Sequence, residues 1–342
     1  MRNGDGVVFP RVSRRYWLAA TASAAALGTM ASVRAQEPKL SPDESRAWDE
    51  VLARAKEVGL AHLRVRTTGR FLAVGDVPDA FMTQALDICE NLLTDYLEYF
   101  QARKFSIHPP KQRMTLVILP TPKAQLKFLG DDDPDDEAEP VFDPDANRLV
   151  FFDLRAGGVR RRGARERGNT VTLCHEASLL IFENTGLLHP DADVSTAIRE
   201  GLASLLENRP AAGRFPPAEA NGGKIAQFVL NRKAPWIPVS RLLGDDKAFE
   251  DASTIRLAEA EAWMLIHLLI RFPKRLPGLL RYLDAVNARR NSEHRLEDAC
   301  AHLGDLDKLD KDLQTYATGW WEFYEKLPES QKAPALPKPT RG

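Results

Sequence analysis

The strongest constraint on this chain is a change of pattern near Thr170. Upstream, short apolar runs alternate with helical segments. Downstream, almost every segment spaces its apolar residues at three and four. His62–Val74 reads as a hairpin, LRVRTT and RFLAV about a turn at Gly69. Asp79–Phe100 places Phe81, Ala85, Ile88, Leu92, Tyr96 and Tyr99 at helical spacing. Met114–Leu119 (MTLVIL) is a continuously apolar strand, Lys123–Leu129 a short helix, and Asn147–Asp153 another strand. The helical stretches that follow are Val171–Asn184, Val194–Asn208, Ile225–Asn231, Thr254–Phe272, Pro277–Ala288 and Leu309–Lys326. The expected fold class is α+β, a mixed α/β N-terminal half followed by a mainly helical C-terminal half.

The chain begins with a segment that is read as a targeting signal and excluded from the fold. Ser13-Arg14-Arg15-Tyr16-Trp17-Leu18 is a twin-arginine start. A small apolar run to Val33 and the cleavage pattern Val33-Arg34-Ala35 follow. The expectation is a periplasmic or otherwise exported protein with no stable membrane span after cleavage, retention as an anchor being the alternative. The divisions are then 1–35 for the signal, 36–60 for a helix and linker with Trp48, Val51, Leu52 and Val58 on one side, 61–168 for the α/β part, 169–327 for the helical part and 328–342 for a disordered tail.

Charge excludes one class of partner. The net formal charge is −1, and the signal carries five Arg against one Asp, leaving the mature chain at −5. Nothing in that balance points to nucleic acid. Cys89, Cys174 and Cys300 are too few for a disulfide framework, and sequence does not choose a pair among them. Cys174, beside His175, reads as a buried core thiol, since neighbours on a helix point about 100° apart. The acidic run Asp131–Glu139 lacks the Gly and the ligand spacing of a calcium loop and reads as solvated surface. The basic run Arg160–Arg167 reads as an exposed loop.

The chemistry is concentrated between Val171 and Asn208. His175-Glu176-Ala-Ser-Leu179 has the first two residues of the zinc-protease motif H-E-x-x-H, with Leu where the second His belongs. Glu200 follows in Ile198-Arg199-Glu200-Gly201-Leu202-Ala203, on a helix that can pack so that Glu200 meets His175. Together these segments resemble the gluzincin metallopeptidases, specifically the exported peptidase-MA-like group. The resemblance covers most of the mature chain at the level of pattern, including Ala258–Leu269, Leu303-Gly304-Asp305-Leu306 and Trp320-Trp321. It implies a zincin-like helical half with a cleft against the α/β half. It further implies that His175 is the first zinc ligand, Glu176 the general base and Glu200 the third ligand, with Leu179 at the second ligand position.

A hydrolytic zinc site needs three protein ligands and one open position. Losing a directly bound His weakens metal affinity by more than the roughly 10–100-fold that accompanies loss of an outer partner. Substitutes to weigh are Glu183, about 12 Å along the helix by its rise, His189 in the connecting turn, and His267 on a later helix. The bland reading pairs Glu176 and Glu200 with Arg199 or a nearby Arg and hydrogen-bonds His175 between two helices. Their shared core would be Leu173, Leu180, Ile181, Ile198, Leu202 and Leu205. Three functional readings follow: an inactive peptidase homologue with no metal that binds peptide or cell-envelope protein, an active zinc enzyme with a substitute ligand, and a structural protein of the envelope.

Overall fold

The computed structural model describes residues 40–60, 62–130, 140–153, 162–208, 213–215, 217–328 and 332. The signal segment, the acidic run 131–139 and most of the tail lie outside them. The N-terminal half is a sheet of β1 (Arg64–Thr67), β2 (Phe71–Gly75), β3 (Met114–Leu119), β4 (Val141–Asp143) and β5 (Arg148–Phe152). Its order is β1-β2-β3-β5-β4. The outer pairs β1–β2 and β4–β5 are antiparallel, and β2–β3 and β3–β5 are parallel.

The continuous apolar run of β3 has its reason in this topology, because a central parallel strand is covered on both faces. On one face Leu72, Val74, Val117, Leu119 and Val150 meet Val51 and Ala55 of α1 (Pro42–Glu57) and Ala124 and Phe128 of α3 (Pro122–Leu129). Ser41 and Glu44 close a capping box at the start of α1. On the other face Phe71, Ala73, Met114, Leu116, Ile118, Leu149 and Phe151 join the core that runs on through the helical half. There α2 (Asp79–Ala102) packs against α4 (Arg162–Thr185), bridged by Tyr96 Oη and Thr185 Oγ1 at 2.8 Å.

The helical half continues with α5 (Thr196–Ser204), α6 (Gly222–Asn231), α7 (Val239–Gly244), α8 (Lys247–Glu250) and α9 (Ile255–Arg271), then α10 (Leu276–Asn287), α11 (Arg295–Leu303) and α12 (Leu306–Glu325). Buried on nearly every side, α9 packs against α5, α6, α8, α10 and α12. Its approach to α5 is set by Gly201, where a Cβ would stand 2.6 Å from the Ala262 carbonyl oxygen. No helix among the described residues is long and apolar enough to cross a membrane.

The α+β expectation holds, with several elements corrected. The basic run is not a loop from Arg162 onward, because α4 begins there, two turns before Val171. Arg is a good helix former but adds no apolar periodicity. The helix expected over Val194–Asn208 is shorter, and a turn follows Ser204. Sequence spacing did not reveal β4, α7, α8 or α11, which are three to nine residues long.

Candidate functional site

His175 and Glu200 meet, as the packing of two helices joined by a turn allows. His175 Nε2 lies 3.2 Å from Glu200 Oε2, joining α4 to α5. The other ring nitrogen, Nδ1, is 2.8 Å from Oε2 of Glu207, in the turn after α5. Glu207 was not singled out from sequence, and it is nearly buried. Its Oε1 accepts a 2.7 Å hydrogen bond from Asn221 Nδ2. Asn221 also caps α6, its Oδ1 accepting from the Lys224 backbone N–H.

The cluster extends to α9 through Lys224. Its Nζ is 2.9 Å from Glu259 Oε2 and 4.0 Å from Glu207 Oε1. Gln227 Nε2 donates to the same Glu259 oxygen at 3.0 Å. The polar centre is thus a chain of alternating charge: Glu200, His175, Glu207, Lys224, Glu259.

That alternation dictates protonation. Burial opposes a charged imidazole, but the Glu200 and Glu207 carboxylates outweigh it and hold the His175 pKa well above its ordinary value. Burial would likewise raise Glu207, yet Lys224, His175 and the Asn221 amide bring it down to about 2. Glu200 is lowered against its burial chiefly by His175. Burial opposes the Lys224 ammonium, and Glu207 and Glu259 raise it above the usual lysine range. Each ring nitrogen of His175 thus faces a carboxylate, an arrangement that favours the protonated ring, in which both N–H groups donate.

The remaining expected residues go elsewhere. Glu176 Oε2 accepts from the backbone N–H of Phe142 at 3.3 Å, which ties α4 to the edge strand β4. Leu179 is partly buried against the apolar core. Arg199 pairs with Glu183 at 3.3 Å, correcting the expectation that it pairs with Glu176 or Glu200. His189 is exposed beside Asp191.

His267 has Tyr316 Oη at 2.6 Å from Nδ1 and the Ala218 carbonyl at 3.1 Å from Nε2. The carbonyl can only accept, so Nε2 carries the proton, and burial pushes the pKa down to about 4. Among the described residues, no group of three His, Cys, Asp or Glu side chains is disposed to hold a metal ion. All three cysteines are free, with Cys89 and Cys174 buried and Cys300 exposed.

A hollow of about 460 Å³ opens at the carboxyl ends of the parallel strands, between Asp76, Phe81, Pro120 and Asp153. No side chain of the His175 cluster lines it.

Residues 169–292 match the family described as "Protein of unknown function (DUF1570)". The matched stretch contains every member of the charged chain, together with Glu176, Leu179 and Asn221. No curated protein matches the chain.

Proposed function

We propose that this chain is an exported gluzincin-like peptidase homologue that has lost catalysis and binds peptide or cell-envelope protein through the relict cleft that the family resemblance implies. The observation that carries this reading is the double engagement of His175 by Glu200 and Glu207, with Leu179 partly buried against the apolar core. The residues present do not fit a catalytic zinc. His175 and Glu200 supply two donors where three are needed, and Leu179 offers none. Export rests on the twin-arginine start at Ser13–Leu18.

A second reading, an active zinc peptidase, draws on the 3.2 Å separation of His175 Nε2 and Glu200 Oε2, close enough for both atoms to share one ion.

Metal content of protein purified without chelator distinguishes the two. The expected result is little zinc in the wild type and close to one zinc per chain in Leu179→His. Stoichiometric zinc in the wild type, lost on His175→Ala, would overturn the proposal in favour of the second reading. Binding of a peptide mixture from a digested unfolded protein should fall in Glu176→Ala with the melting temperature kept. Unchanged binding would remove the cleft from the interaction.

A further inference from the structure

We infer that Lys224 is a resident cation, a covalently tethered ammonium that holds the carboxylates of the His175 cluster together and opposes entry of a divalent metal. The inference goes beyond the loss of Leu179's ligand position, because it concerns a residue on a different helix.

Lys224 is the third residue of α6, counting from its Asn221 cap. The helix dipole there favours negative charge, and a capping box would place Glu or Gln at this position. Lys224 instead puts an ammonium in the first turn, with a side chain only 8% exposed. Local helix chemistry and desolvation both oppose that choice. What offsets them is the built surround: Glu259 at 2.9 Å on one side and Glu207 at 4.0 Å on the other.

Each carboxylate is also held by an amide, Glu259 by Gln227 Nε2 and Glu207 by Asn221 Nδ2. Lys224 sets one positive charge against the carboxylates of Glu200, Glu207 and Glu259, and without it the same set would be more negative by one. The ammonium lies between Glu207 and Glu259, and Glu207 also holds His175, so a divalent ion taken up between His175 and Glu200 would enter a cluster that already contains a fixed cation. Leu179 withholds a ligand, whereas Lys224 repels the ion.

The test compares zinc affinity in Leu179→His with that in Leu179→His/Lys224→Met, by competition against a chromophoric chelator. The double variant is expected to bind zinc about tenfold tighter or more, within the range by which outer partners tune metal sites. Equal affinities in two folded variants would overturn the inference. Zinc in the unaltered protein would sink the metal-free reading of the site, yet the ratio between these two variants would still report on Lys224 alone.

Should Lys224→Met fail to fold, Lys224→Ala is titrated with n-propylammonium, with n-propanol as the uncharged control. The expected outcome is a rise in melting temperature with the amine that the alcohol does not reproduce. An equal response to both would show that the position needs volume and not charge, and would overturn the inference.

Discussion

Gly201 marks a close approach between α5 and α9, two of the helices that carry the charged cluster. An alanine there would put its Cβ 2.6 Å from both the Ala262 carbonyl oxygen and Ile266 Cγ1. Backbone on one side leaves little to yield, so Gly201→Ala should destabilise the protein by about 1–3 kcal/mol, the usual range for an overpacked core. Urea unfolding measures it, and an unchanged midpoint would mean that α5 and α9 do not approach so closely. The sequence showed Gly201 as part of the Glu200-Gly201-Leu202-Ala203 pattern, but not what it touches. The same boundary runs through the site. His175, Glu176 and Glu200 were readable because their spacing follows a helix and one turn. Glu207, Lys224 and Glu259 were not, because only the packing of α6 and α9 brings them together. His267 shows the converse, a conspicuous histidine in an apolar helix whose two nitrogens serve Tyr316 and Ala218.

Helix α5 carries Glu200 but does not cap itself, since Ser195 makes no side-chain bond to its first turn. The missing acceptor comes from α8, whose cap residue Asp246 takes the Thr196 N–H at 2.8 Å. Arg295 at the start of α11 holds Asp246 at 2.9 Å and grips Asp193 with two further nitrogens at 2.6 and 2.8 Å. One guanidinium therefore orients three elements around the entry to α5. Replacing it with Met leaves both carboxylates without this cation, and because each is partly solvated, Arg295→Met is expected to cost about 1–3 kcal/mol, between an exposed and a buried pair. Hydrogen exchange should accelerate first at the amide of Thr196; exchange unchanged there would show that α5 is oriented without this clamp. None of these contacts has a sequence signature, because Asp193, Asp246 and Arg295 are separated by 49 to 102 residues. The long elements were legible apart from the basic first turns of α4. Elements such as β4, three residues between Pro140 and Pro144, are too short to show a period.

At the scale of the whole molecule, one carboxyl group among the described residues stands far from its ordinary state, that of Glu261. It is fully buried on α9, with a weak contact from the Ile237 N–H at 3.3 Å and the Asp310 charge nearby. Burial first, and then Asp310, push its pKa up to about 9 against the pull of that N–H. In the unfolded chain the group ionises near pH 4.5, so between about 4.5 and 9 the folded state binds the extra proton and stability falls as pH rises. Glu261→Gln removes that dependence. Its melting temperature relative to wild type should climb steadily from pH 5 to pH 9, and parallel curves would show that Glu261 is ionised in the fold. His267 acts at the other end. Its folded pKa of about 4 lies below the ordinary 6.5, so its contribution is lost as pH falls through that window.

The contact between Glu176 and Phe142 also bears on how molecules of this protein meet one another. An open sheet has two margins, and each offers unpaired backbone groups onto which a second chain can add. Here one margin is β4, three residues long, with the Phe142 N–H already engaged by a carboxylate. The turn beside it is pinned to α4 by the paired amides of Asn147 and Asn184. The other margin, β1, carries Arg64 and Arg66, both drawn to Asp79. Brevity, an occupied donor and fixed charge guard the two borders by different means, and together they disfavour strand-to-strand aggregation in a crowded compartment without the sheet having to close into a barrel.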